Sequence, residues 1–149
     1  MNPLRKILKV KPSILVIGDI MLDNFIFGGV DRISPEAPVP IVLCEKETDT
    51  LGGCGNVLRN LSNLDVKTSV ISFVGKDHIG QLIKKKLIEL DVDIDSLLFF
   101  ENVRTTHKMR IIANKQQVVR VDWDSKKLTI ADYEKLEKLV VQKIKNIDG

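Results

Sequence analysis

Aromatic residues are scarce in this 149-residue chain, at 5%, and cysteine and histidine occur twice each. Few aromatics, and cations scattered along the chain instead of gathered in a stripe, argue against a nucleic-acid partner despite a net charge of +3. Cys44 and Cys54 are too few for a disulfide framework, and no Cys/His pair has metal-ligand spacing. The expectation is free thiols in a reducing cytoplasm and no bound metal. Long hydrophobic runs are also missing. Stretches such as Ile14 to Gly18 and Leu97 to Phe100 fall far short of the ~18–20 residues that span a membrane, so no membrane partner is expected. The first ten residues are basic and mildly amphipathic, but they lack the unbroken apolar core and small-residue cleavage site of a secretory signal.

What is abundant is aliphatic. Hydrophobic residues make up 44% of the chain, and Ile, Leu and Val together number 50. That content excludes a disordered chain. The length is that of one domain of ~100–150 residues.

Ser13-Ile14-Leu15-Val16-Ile17-Gly18-Asp19 has the profile of a strand buried on both faces of a parallel sheet, and is expected to be its first central strand. Asn24 to Gly29 is too short and glycine-rich for a helix. Three prolines between Pro35 and Pro40 then require an irregular or polyproline-like loop, after which Ile41 to Glu45 resumes extended structure. Gly52-Gly53 opens a segment with helical spacing at Val57, Leu58, Leu61 and Leu64. A second buried strand spans Thr68 to Gly75, and Asp77 is placed to cap a helix carrying Ile79, Leu82, Ile83, Leu87 and Leu90. Ser96 to Phe100 reads as a third strand. This alternation predicts right-handed crossovers onto a parallel sheet.

The pattern then changes to two extended segments, His107 to Ala113 and Gln117 to Trp123, joined by a short polar connection. A final helix is expected over residues 130–147, with Leu136, Leu139, Val140, Val141 and Ile144 inward and Lys135, Lys138, Lys143 and Lys145 largely outward. The fold class is therefore α/β and Rossmann-like, interrupted at about residues 23–45 and 105–123. Those two interruptions can join into one small sheet forming a lid over the body.

Four features carry possible chemistry. Asp23 lies just past the first strand's carboxyl end, where open α/β sheets bind ligands, and can accept hydrogen bonds from sugar hydroxyls; the alternative is a turn or capping Asp. Gly52-Gly53-Cys54-Gly55-Asn56 lets backbone approach a ligand closely, with Asn56 offering donor and acceptor; an ordinary turn and helix start is equally consistent. Lys108 and Arg110 share one strand face and can present two cations to an anion, unless that face is only a solvated edge. Arg120 and Asp122 share a face of the neighbouring strand and can pair with each other. Cys54, at a helix start, is either a thiol of lowered pKa or a small residue filling a tight turn. Nothing matches a Ser-His-Asp, Cys-His or paired-carboxylate site, and no catalytic residue is assigned.

Taken together, Gly18-Asp19-Ile20-Met21-Leu22-Asp23, Arg32-Ile33-Ser34-Pro35-Glu36-Ala37-Pro38-Val39-Pro40, Gly52-Gly53-Cys54-Gly55-Asn56-Val57, Phe73-Val74-Gly75-Lys76-Asp77, Thr105 to Arg110 and Gln116 to Asp122 resemble the ribokinase-like carbohydrate kinases. Within that family they are most similar to the D-glycero-D-manno-heptose 7-phosphate kinase branch, whose domain is often followed by an adenylyltransferase. The resemblance runs from about residue 13 to the end. It implies a ribokinase fold with a small β-sheet lid, incomplete in this chain. Asp23, Gly52, Gly53 and Asn56 match sugar-hydroxyl contacts. Lys108 and Arg110 match lid positions facing the sugar, where two charges suit a 7-phosphate, and Arg32 is a further candidate for that task. It also implies a homodimer through the lid sheet, and Mg-ATP as the phosphoryl donor.

This sequence departs from the family pattern at Leu58 and Asp65, where a small residue and a glycine are usual. Nothing here matches the Gly-Ala-Gly-Asp segment that holds ATP and supplies the base in that family. The resemblance therefore implies the front part of a longer domain, inactive alone, from an enzyme that phosphorylates the sugar's anomeric hydroxyl. The bisphosphate product would feed ADP-heptose and lipopolysaccharide core synthesis. A non-catalytic association module, and a kinase fragment for another sugar or nucleoside, remain as alternatives.

Overall fold

A computed structural model describes residues 12–149; the basic amino-terminal stretch lies outside them. The chain runs β1 (Ser13–Ile17), β2 (Ile20–Ile33), β3 (Pro40–Gly53), α1 (Cys54–Asn63), β4 (Lys67–Gly75), α2 (His78–Glu89), β5 (Leu97–Phe100), β6 (His107–Ala113), β7 (Gln116–Trp123) and α3 (Ile130–Lys143), with a 3-10 turn at Ile144–Asn146. Two sheets result. The body sheet has order β1-β4-β5 and the outer sheet β3-β2-β6-β7. All body pairings are parallel, as the crossover pattern requires. In the outer sheet β2 pairs antiparallel with β3 and parallel with β6, and β6 pairs antiparallel with β7. The two interruptions thus meet in one sheet across more than eighty residues of sequence.

The core forms where the inner ends of β2 and β3 meet the body sheet and its helices. Ile20, Leu22 and Leu51, at the inner ends of β2 and β3, pack with Leu58 of α1, Val70 and Val74 of β4, and Ile83 and Leu87 of α2. Leu58, Val70, Ile83 and Leu87 are fully buried, each contributing about 1.5–3 kcal/mol of apolar transfer. Leu58 fills a site where the resemblance implied a small side chain, so the α1 contact is made by a bulky residue. Asp65, after α1, takes φ 59, a left-handed turn that Asp tolerates.

Local signals place the other helices. Asp77 accepts from the Gly80 amide at 2.8 Å and from both the amide and hydroxyl of Thr105, joining the start of α2 to the approach of β6. Thr129 and Asp132 form a capping box on α3. The β6–β7 turn is only two residues, with Asn114 and Lys115 at φ 51 and 66, the pairing that suits a tight hairpin. No helix among the described residues is long and apolar enough to cross a membrane.

Three expectations change. Among the described residues β4, not β1, is the central body strand. β1 is half-exposed, with Ile17 at 53%, because among the described residues its other edge is met by Asp148 and Gly149 alone. An apolar run reports capacity for burial, not what covers it. Second, β2 and β3 are fourteen residues each, longer than the extended segments expected, because register shifts beside Gly28 and near Val30 absorb the irregularity that the glycines signalled. Third, α3 ends at Lys143, and Val141 and Ile144 are 56% and 58% exposed. The inward stripe is Leu136, Leu139 and Val140, continued by Lys143, which reaches Asp93 at 2.8 Å. Val141 falls off that stripe at 3.6-residue spacing, and Ile144 lies past the α-helix, in the 3-10 turn where that spacing no longer holds.

Candidate functional site

Alternation along β2 divides its side chains. Leu22 and Asn24 turn to the body and are buried, while Asp23 and Phe25 occupy the other face. Pairing registers extend that face across the sheet: Thr50, Asp23, Lys108 and Asp122 form one row, and Thr48, Phe25, Arg110 and Arg120 the next. The result is a surface built from four strands, with charge alternating along the first row and two arginines abreast in the second.

Its strongest contact is between Arg110 Nη1 and Asp23 Oδ1 at 2.6 Å, with side-chain exposures of 21% and 19%. The Arg110 guanidinium also lies over the Phe25 ring, 5.1 Å from its centre, a favourable cation–π placement. Lys108 sits beside Asp23 in register but reaches Asp122 at 3.5 Å, and Arg120 Nε donates to the same carboxylate at 2.8 Å. Desolvation pushes the Asp122 carboxyl up, but hydrogen bonding and charge from Arg120 and Lys108 outweigh it and hold the group below its usual value.

The Gly-Gly pair has a steric cause at each position. A Cβ on Gly52 would overlap the Asp23 carboxylate, and one on Gly53 would overlap the Asp19 carbonyl. Gly53 also takes φ 58, the region glycine enters freely. This lets the Cys54 amide donate to Asp19 O at 2.9 Å. Cys54 itself is a buried small residue: burial, with the Asp19 charge adding to it, pushes its thiol up to about 11, which leaves it unreactive.

Asn56 is exposed on the first turns of α1. Arg59, one turn on, donates to Asn56 Oδ1 at 2.6 Å and also to the Thr50 hydroxyl. Because arginine only donates, Arg59 engages the Asn56 oxygen and not its amide NH2. Thr50 stands abreast of Asp23, so Asn56, Arg59, Thr50, Asp23 and Arg110 form a linked series. Arg59 was not singled out by sequence reasoning; its helical spacing from Asn56 was the available signal.

Six of the expected residues therefore lie around one region: Asp23, Gly52, Gly53, Asn56, Lys108 and Arg110. Arg32 does not join them. It is exposed near the outer end of β2, roughly 25–30 Å along the strand from Asp23. A cavity of about 780 Å³ opens beside the cluster at the carboxyl ends of β1 and β4, bordered by Gly18, Asp19, Ser72, Thr106 and Lys108. Lys108 is the expected site residue that borders it. Among the described residues no group of three or more His, Cys, Asp or Glu side chains could hold a metal ion.

The sequence matches the profile of the pfkB family carbohydrate kinases over residues 11–147. The chain belongs to that family. Among curated relatives of this pfkB chain, the Bifunctional protein HldE of a Nitratiruptor species is 46% identical over 138 residues, covering 93% of this chain and 28% of the relative. The protein of the same name from Sulfurimonas denitrificans is 49% identical over 122 residues, covering 81% and 26%. This pfkB chain thus spans about a quarter of the length of those relatives. Among solved structures, Arabidopsis thaliana ribokinase complexed with ribose and ATP aligns with a TM-score of 0.62 at 18% identity, over 85% of this chain and 42% of that one. A carbohydrate kinase from Agrobacterium tumefaciens aligns with a TM-score of 0.60 at 22% identity, over 75% and 35%. The ribokinase-like fold expected from the motifs is thereby shown.

Proposed function

We propose that this pfkB chain is the sugar-holding part of a kinase whose acceptor is D-glycero-D-manno-heptose 7-phosphate, phosphorylated at its anomeric hydroxyl to the 1,7-bisphosphate. The observation that carries this reading is the placement of a carboxylate acceptor, Asp23, over Gly52 and beside two cations, Lys108 and Arg110. Asp23 accepts hydrogen bonds from sugar hydroxyls and the Asn56 amide donates to one, while the missing side chain at Gly52 makes room for the Asp23 carboxylate itself. Lys108 and Arg110 receive the 7-phosphate, Arg as a planar fork and Lys as a point charge. Phosphoryl transfer depends mainly on such positioning. ATP, when bound by the kinase, supplies the phosphoryl group.

The test is a thermal melt of the chain with heptose 7-phosphate. Occupancy at about 100 times Kd adds ~2.7 kcal/mol, a shift of several degrees for a domain of this size. No shift at saturating sugar phosphate rejects the reading. A larger loss for Lys108→Ala with phosphorylated than with unphosphorylated sugar separates it from a kinase for plain sugars or nucleosides.

A second reading concerns assembly. Val118, Val119 and Val121 on β7 are 45%, 44% and 38% exposed, apolar surface on the outer sheet that fits pairing with a second copy. Sedimentation that stays monomeric over a hundredfold range of concentration excludes that homodimer.

A further inference from the structure

The Arg110–Asp23 pair has an unexpected geometry. In the β2–β6 register Lys108 is the cation abreast of Asp23, whereas Arg110 stands abreast of Phe25. Yet Lys108 turns away to Asp122, and Arg110 reaches diagonally back along the face to Asp23 Oδ1 at 2.6 Å, resting on the Phe25 ring. The carboxylate assigned to sugar hydroxyls is therefore already occupied. Its Oδ1 is held by a guanidinium, and its Oδ2 lies against Gly52.

We propose that Arg110 is a specificity device that masks Asp23 until a phosphate group draws it away, so that phosphorylated sugars are admitted and their unphosphorylated counterparts are held off. The proposal rests on the sugar-phosphate reading above. A sugar hydroxyl is a neutral donor and competes poorly with a charge-assisted guanidinium bond for the same oxygen. A phosphate ester offers that guanidinium more oxygens and more negative charge than one carboxylate does, in a geometry its fork matches. Phe25 supports the guanidinium from below, and a flexible arginine stem can turn from Asp23 toward the bound phosphate. One substrate group then does two jobs, since the phosphate gains its own contact and releases Asp23 for the hydroxyls. A sugar without phosphate has nothing to exchange for Arg110. Lys108, held by Asp122, contributes charge without covering Asp23.

The test is calorimetric titration of the full 149-residue chain, and of Arg110→Gln and Lys108→Gln, with D-glycero-D-manno-heptose 7-phosphate and with the free heptose. Circular dichroism checks that both variants fold. Removing a phosphate contact alone weakens the ester and leaves the free sugar untouched. Removing a mask gives changes of opposite sign: Arg110→Gln binds the ester about tenfold more weakly and the free heptose about fivefold more tightly. Lys108→Gln weakens the ester without any gain for the free sugar. Unchanged free-heptose binding in Arg110→Gln, or an equal gain in Lys108→Gln, overturns the mask. If the unaltered chain binds neither sugar, the sugar-phosphate reading fails, and the mask is decided separately with inorganic phosphate as the probe. Saturating phosphate must then move the Asp23 carboxyl carbon resonance toward its position in Arg110→Gln; a resonance that stays put rejects the mask.

Discussion

The body and the outer sheet are joined through β2 and differ in almost everything else. The body is held by aliphatic contacts around Leu58, Val70, Ile83 and Leu87, all inaccessible to water. The outer sheet presents partly exposed carboxylates paired with cations, Asp23 with Arg110 and Asp122 with Lys108 and Arg120. Burial of apolar area is a large, non-directional term, whereas exposed ion pairs add little to stability. The comparison therefore separates what keeps the chain folded from what lets it recognise a ligand, and substitutions in the two regions should fail different assays.

The largest effect is expected in the body. Leu58→Ala empties a fully buried position and should lower unfolding stability by about 2–5 kcal/mol, read from urea denaturation. A cost under about 1 kcal/mol would show that α1 is loosely seated. Next comes Gly52→Ala, whose methyl group would displace the Asp23 carboxylate. Sugar-phosphate affinity should fall about tenfold, roughly 1.4 kcal/mol, with a smaller change in melting temperature; equal losses in both assays would erase the distinction between regions.

Asp77 tests the joint between the regions, since it caps α2 and holds Thr105 ahead of β6. Asp77→Ala should cost about 1 kcal/mol. Desolvation raises the Asp77 carboxyl, but the amides of Thr105 and Gly80, the Thr105 hydroxyl and the Arg104 charge outweigh it and lower the group overall. A carboxyl depressed on folding gives stability that is complete above its unfolded value, about 4, and is lost as pH falls through the folded value. Acid titration of the melting temperature should therefore drop less steeply below about pH 4 in the variant. Smallest is Arg59→Ala, expected to weaken sugar-phosphate binding about threefold by freeing the Asn56 amide to rotate. In an Asn56→Ala background the same change should cost almost nothing, whereas a purely structural Arg59 would cost the same in both.

Much of the body was readable from residue order. The strand from Thr68 to Gly75, the two helix signals on either side of it and the Asp77 cap needed only hydrophobic period and end chemistry. The outer sheet was readable as a joining of two interruptions, because paired extended segments need an edge to share. What stayed hidden depends on distance in sequence. Asp23 and Arg110 are 87 positions apart, and no local pattern states that β2 and β6 run parallel in the register that sets Phe25 abreast of Arg110. Arg59 looked like a solvated helix residue until Thr50 and Asn56 were placed beside it. Arg32 belongs to a distinctive run of residues, yet it stands nine positions along β2 from Asp23.

The continuity of β2 has a mechanical consequence. Ile20 and Leu22 are anchored in the core, and the strand passes without a turn into the segment bearing Asp23 and Phe25. The outer sheet is therefore a cantilever rooted in the body, with no swivel at its base. If it moves against a ligand, the motion must be spread as twist along β2 and its neighbour β3. Asp23, beside that root, then shifts least, while the far end of the beam near Arg32 sweeps the widest arc.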